Sequence, residues 1–161
     1  MTWKTFTTRQ KSSFTYWWWH NLAFNYTAIK CKAWKFKYLF HDIEKPFLML
    51  IWRDYKKVQQ FHRSKNKHHI EYPHYAKWDL EAMVIDWECS RLTKLESPLN
   101  AVDTFRNMVE IKESILYVKD IVIRTSLLKR IPDILVKLNL INNLEKEKLN
   151  SIMFSNIIKN R

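Results

Sequence analysis

Tyr38-Leu39-Phe40-His41-Asp42-Ile43-Glu44-Lys45-Pro46-Phe47-Leu48-Met49-Leu50-Ile51-Trp52 reads as the end of one helix, a junction, and the start of the next. A helix over about Lys35 to Phe40 delivers a His-Asp doublet at its end. Pro46 suits the first turn of a following helix, where its fixed φ and missing N–H are tolerated. Consecutive side chains can converge in such a junction, as they cannot along a regular helix. His41 and Asp42 therefore set an imidazole nitrogen beside a carboxylate, a donor pair suited to one divalent cation. Lys45 is close enough in sequence to pair with Asp42 or with a bound phosphate.

The doublet has company on both sides. All six histidines lie between His20 and His74. Upstream, Ser12 or Ser13 can cap a helix running to about Trp34. His20 sits within it, about one turn from Tyr16, Trp17 and Phe24. The Trp17-Trp18-Trp19 run is too continuous for one helix face and is expected to wedge between several elements.

Downstream, a helix over Gln59 to Tyr72 would put His62, Asn66 and His69 on one face. His68 would then point roughly 100° away. That makes His62 and His69 the better ligand pair, with Asn66 as an orienting partner. Arg63, Lys65 and Lys67 add charge fit for phosphate. The plain alternative is a basic helix whose histidines face water. After a Tyr72-Pro73-His74-Tyr75 loop, a helix from Asp79 carries Leu80, Met83, Val84, Trp87 and Leu92. Asp86 lies among these apolar residues and needs a partner, since burying a lone carboxylate costs several kcal/mol. A metal would serve, and so would Arg91 or a lysine. Glu88, Arg91 and Lys94 are expected to lead toward solvent, with Arg91 and Lys94 as further phosphate contacts.

Composition points to an all-α fold. The 161 residues suffice for a real core, 47% are hydrophobic, and there is no glycine. Hairpin turns lean on glycine for positive φ, so its absence favours helices joined through Asn, Asp, Pro and Ser. Residues 1–11 are polar and basic and are expected to form a flexible arm; residues 12–96 form the histidine-bearing core. Residues 97–161 read as supporting helices of the same domain. Ser97-Pro98 starts a long helix through Phe105, Met108, Val109 and Ile115 that breaks before Pro132, and Asn142 or Asn143 caps a last one.

The net charge is +12, with 17 basic and 8 acidic side chains in residues 1–95 against 11 and 8 in the rest. That excess suits an anionic partner near the histidines, or simply a basic surface. Cys31 and Cys89 form no zinc-ribbon or disulfide framework and read as reduced core residues. With no long apolar region of a secretory signal and no run of about 20 apolar residues, a cytoplasmic protein without a membrane partner is expected.

Taken together, His20, the His41-Asp42 pair, the cluster His62, His68 and His69, and Asp86 resemble the HD superfamily of metal-dependent phosphohydrolases. That family's pattern is a His, a His-Asp doublet, further His in some branches, and a late Asp. His41-Asp42-Ile43-Glu44-Lys45 is similar to the His-Asp-x-x-Lys form of the HD-GYP branch, though that branch's glycine is absent and Glu44 stands in its neighbourhood. His68-His69-Ile70-Glu71-Tyr72-Pro73 echoes its His-His and Tyr-Pro elements. Arg63-Ser64-Lys65-Asn66-Lys67-His68-His69 and Met83-Val84-Ile85-Asp86 are similar to motifs of a small phage and bacterial family. The resemblance spans roughly residues 15–95 and implies a single-domain helical bundle resembling the HD-domain fold. It also implies one or two divalent ions (manganese, iron, zinc or magnesium).

On that reading His20, His41, Asp42 and Asp86 hold a first metal, while His62, His68 and His69 hold a second. A metal-bound hydroxide would hydrolyse a nucleotide or another phosphorylated small molecule, with Asp42 and Lys45 as catalytic residues. The rival is a non-catalytic module that binds nucleic acid or a host protein through basic charge and exposed aromatics. A third reading makes the histidines and Asp86 a hydrogen-bonded core network.

Overall fold

The computed structural model describes residues 2–7, 9–96, 99–114 and 117–159. It is all-α. Seven α-helices form among the described residues: α1 (Phe14–Lys30), α2 (Glu44–Trp52), α3 (Tyr55–Lys65), α4 (Leu80–Thr93), α5 (Ala101–Val109), α6 (Ile121–Lys137) and α7 (Asn143–Lys159). The nearest approach to a sheet among them is an isolated bridge between Phe6 and Lys94. None of the described helices is long and apolar enough to cross a membrane. The chain clusters into two compact units, Met1–Pro98 and Leu99–Arg161.

Local chemistry starts these helices. The side chains of Ser13, Asp54, Asp79, Asn100 and Asp120 accept from first-turn N–H groups of α1, α3, α4, α5 and α6. Each bond satisfies donors that have no partner within the helix. Before α7, Asn142 Oδ1 accepts from Glu145 N at 2.9 Å while Glu145 Oε2 accepts from Asn142 N at 2.8 Å. This reciprocal pair is a capping box.

Helix ends show how a chain without glycine stops. Lys32, Arg53 and Asn139 take left-handed backbone with φ of 54°, 51° and 56°. After α1, Ala33 N reaches Ala28 O and Lys32 N reaches Ile29 O; after α6, Leu140 N reaches Leu135 O and Asn139 N reaches Val136 O. These paired bonds satisfy the last helical carbonyls, with Lys and Asn in the place glycine usually fills.

In the first unit α1 packs along α4, α2 pairs with α3, and a 3-10 turn over Phe36–Phe40 lies against α1. Phe24, Ala23 and Ala28 of α1 and Met83, Val84 and Ile85 of α4 are fully buried. In the second unit α5 and α7 each pack on α6, with Phe105, Leu127, Ile131 and Leu135 fully buried.

Several expectations need correction. The first helix stops at Lys30 rather than Trp34 because Lys32 turns left-handed, and the helix expected over Lys35 to Phe40 is a 3-10 turn. Trp18 is 53% exposed, so the tryptophan run is not wedged along its whole length. The N-terminal arm is anchored: Phe6 is buried, its N–H bonds Thr93 O, and its carbonyl accepts from Leu95 N.

The long C-terminal helix is two helices, α5 and α6. Between them Val118 N bonds back to Met108 O, and Asp120 caps a new start. Pro132 lies inside α6 and does not break it. The expected Ser97-Pro98 start and Ile115 fall outside the described residues; Asn100 caps α5.

Candidate metal centre

The His41-Asp42 junction is shaped by α1. Asn21 Nδ2 donates to His41 O at 2.9 Å, and Trp17 Nε1 donates to the same carbonyl at 3.2 Å. Asn25 Nδ2 donates to Tyr38 O at 2.9 Å. These bonds hold the backbone where the 3-10 turn ends. Asp42 then takes φ of 59°, left-handed backbone that aspartate tolerates better than most residues. Strained backbone of this kind concentrates at functional sites, because surrounding structure must hold it. The turn swings the Asp42 carboxylate inward just before α2 begins.

Four residues from three parts of the unit converge there. His20 Nε2 of α1 lies 2.9 Å from Asp86 Oδ1 of α4 and 3.8 Å from Asp42 Oδ2. His41 Nε2 lies 3.5 Å from Asp42 Oδ1 and 3.7 Å from Asp86 Oδ1. All four residues are buried. Tyr16 stacks on the His20 ring, and Phe24 stacks on His41.

A second group adjoins the first through Asp42. Its Oδ1 lies 3.2 Å from His62 Nε2 and 3.3 Å from His68 Nε2, while His62 Nε2 and His69 Nε2 are 2.7 Å apart. The expected helix to Tyr72 is corrected here. α3 stops at Lys65, Asn66 is extended, and a turn with His69 N on Asn66 O and Tyr72 N on His69 O follows. Asp79 N pins this turn through Lys67 O at 2.8 Å. His68, expected to point away, is thereby brought onto Asp42 together with His62 and His69.

Two residues gain roles beyond those read in the sequence. Glu44 Oε1 pairs with His62 Nδ1, and Asn66 Nδ2 donates to the same carboxylate oxygen at 2.7 Å. A carboxylate behind an imidazole fixes its tautomer, leaving Nε2 free as a ligand. Asn66, expected to orient a ligand, contacts His62 both through Glu44 and directly, with Nδ2 2.9 Å from His62 Nδ1. Cys89 was read only as core. Its Sγ lies 3.9 Å from His20 Nδ1 and 3.8 Å from Asp86 Oδ1, and burial keeps its pKa well above the ordinary thiol value.

The donor set fits cations. Ligands about 2.0–2.2 Å from a shared ion lie roughly 2.9–3.6 Å from one another. Most of the separations above fall in or near that range. His41 Nε2, Asp42 Oδ1 and His68 Nε2 are buried and make no hydrogen bond. Buried polar atoms are nearly always paired, so three orphaned atoms around one point call for a shared partner. Asp42, His62, His68 and His69 form one group able to hold an ion; His20, His41 and Asp42 form another.

Protonation states agree at His41, His69 and the two carboxylates; at His62 burial lowers the pKa, but Asp42 and Glu44 outweigh it and raise it. Burial lowers the His41 pKa to about 4, against the pull of Asp42 and Asp86, so its imidazole is neutral. Burial and His68 hold His69 well below its ordinary value. Burial alone would raise Asp42 and Asp86. His41, Lys45 and His62 reverse this for Asp42, and His20 and His41 for Asp86, so both stay ionised.

Lys45 is the cation the fold delivers to the centre: it is buried, with Nζ 2.5 Å from Asp42 Oδ2. Lys94, expected to lead into solvent, is half-buried on the Asp86 side and donates to Ser90 Oγ at 2.7 Å. Arg63, Lys65, Lys67 and Arg91 do not converge with them. Arg63 pairs with Glu71, Arg91 pairs with Glu88, Lys65 lies over Phe61, and all four are exposed. Arg91 is therefore not the partner of Asp86, and Glu88 is buried rather than solvent-facing.

Comparison with known proteins finds no matching family model, curated protein or solved structure.

Proposed function

We propose that this chain is an HD-type, metal-dependent phosphohydrolase acting on a nucleotide or another small phosphate ester. One observation carries the reading: two imidazole-carboxylate groups share Asp42, and three buried atoms facing their common point, His41 Nε2, Asp42 Oδ1 and His68 Nε2, have no hydrogen-bond partner. His20, His41, Asp42 and Asp86 would hold one divalent ion; Asp42, His62, His68 and His69 would hold a second. Bound ions of this kind lower the pKa of water and neutralise charge on a phosphoryl oxygen.

The chain's own residues supply the rest. Asp42 offers one carboxylate to both groups, and its left-handed backbone aims it. Lys45 places a buried ammonium beside Asp42, where its charge can face a phosphoryl oxygen. Glu44 and Asn66 orient His62. Tyr16 and Phe24 cover His20 and His41 with aromatic surface. The basic character of this half of the chain favours an anionic substrate near the site.

The test is metal content by mass spectrometry on protein purified without a histidine tag, for wild type and for His41→Ala and Asp42→Ala. Metal in wild type that both variants lose, with manganese-dependent cleavage of a phosphomonoester or phosphodiester panel, is the expected result. Wild type that stays metal-free after incubation with manganese, iron and zinc would sink the proposal and leave the basic binding module ahead.

A further inference from the structure

The metal centre leaves one feature of the first unit unused. Across the 3-10 turn Phe36–Phe40, the junction after it and α2, Phe36, Leu39, Phe40, Ile43, Phe47, Leu50, Ile51 and Trp52 are all exposed. Ile43, Phe47, Leu50 and Ile51 follow helical spacing and share one face. Leu50 is 78% exposed and Ile51 72%. Leu50 and Ile51 open to solvent as a ridge, while Trp52 at its end borders a shallow hollow with Lys57, Gln60, Phe61 and Ser64. An exposed apolar patch of this kind marks an interaction surface.

Charge selects the occupant. Arg53, Lys56 and Lys57 follow the ridge directly, are exposed, and make no ion pair among the described residues. Asp54, the α3 cap, offsets one of these three charges and leaves the cluster basic, while Asp42 and Glu44 face the histidines. Two copies meeting on this face would set like charges together. A nucleic-acid platform stacks bases on aromatic rings; Phe36, Phe40, Phe47 and Trp52 offer rings, but the two most exposed side chains of the ridge, Leu50 and Ile51, are aliphatic. Apolar side chains flanked by basic ones match the boundary between acyl chains and anionic headgroups.

We infer that the Phe36–Trp52 ridge docks on an anionic phospholipid surface, with Leu50 and Ile51 entering the acyl boundary and Arg53, Lys56 and Lys57 meeting the phosphates. The site is peripheral and independent of the metal centre.

Cosedimentation of the full chain with vesicles tests this, comparing pure phosphatidylcholine with phosphatidylcholine containing about 30% phosphatidylserine. Retention on the anionic vesicles alone, weakening as salt rises, is expected. Leu50→Asp/Ile51→Asp and, separately, Arg53→Glu/Lys56→Glu/Lys57→Glu should each reduce it roughly tenfold or more. Unchanged circular dichroism and metal content would show both variants folded; the charge variant stands as the test if the apolar one is not. Equal retention on neutral vesicles, or none on either, overturns the inference. So does self-association, or binding of a single-stranded oligonucleotide, that these substitutions abolish while vesicles are not bound.

Discussion

Phe24, in the middle of α1, lies flat against the His41 ring, with centroids 3.7 Å apart and planes 12° from parallel. A helix side chain thus sets the orientation of an imidazole in a junction distant in sequence. With Phe24 covering one face, His41 Nε2 is left facing Asp42 and Asp86.

Phe24→Ala should therefore weaken the fold and the site together. Removing a fully buried phenyl ring costs about 3–5 kcal/mol. Thermal unfolding should show a marked fall in Tm, with Phe24→Leu falling less. A Tm near wild type in the alanine variant would contradict the packing described.

The two ligand groups should be separable. His69→Ala should reduce metal content by about one equivalent and leave the His20 side filled, while His20→Ala does the reverse. Asp42→Asn should empty both, since asparagine tolerates left-handed backbone but lacks the shared charge. Mass spectrometry of the folded variants decides this. Metal retained at wild-type level in Asp42→Asn would remove Asp42 from its shared position.

Glu44 would act on a bound ion through His62. Glu44→Ala should weaken metal affinity by about 10- to 100-fold, with Glu44→Gln closer to wild type because its amide can still accept from Nδ1. Titration against a chelating dye measures the difference. Identical affinities in all three proteins would rule out the orienting role.

Asp79 supplies a pH-dependent contribution away from the candidate metal site. Burial would raise its pKa, but Lys37 and the Ala82 N–H outweigh that and hold it below the ordinary carboxylate value. A depressed folded pKa gives stability that is present above the unfolded value and lost as pH falls through the folded one. Asp79→Ala should cost about 1 kcal/mol near neutral pH, as loss of a helix cap does. Urea unfolding in acid should bring variant and wild type together; a constant gap across pH would contradict the assignment.

Much of the site was legible because its residue types are rare and clustered. His20, His41, Asp42, His62, His68, His69 and Asp86 could all be picked from the sequence; Ser13 and Asn142 are each one of the two caps it offered, and Asp79 stands where a helix was expected to start. The resemblance placed His68 with His62 and His69, but helical periodicity turned it away from them, because it carried α3 past its true end at Lys65. Glu44 was noticed only for occupying the neighbourhood of a missing glycine, and its contact with His62 lies on another helix. The lysines and arginines looked alike in sequence; burial alone sorts Lys45 from Arg63, Lys65 and Lys67.

By itself the sequence determined the helical class, where most helices begin, and which side chains could bind a cation. These follow from interactions within one or two turns, between a cap and its N–H groups or between residues three and four apart. Only the tertiary structure decided that Asp42 is shared between two histidine groups and that the turn after Lys65 carries His68 onto it. Those outcomes depend on α1 packing against α4 and on a left-handed residue held in place by Asn21 and Trp17 on the adjoining His41 carbonyl. Contacts so distant in sequence leave no local period to read.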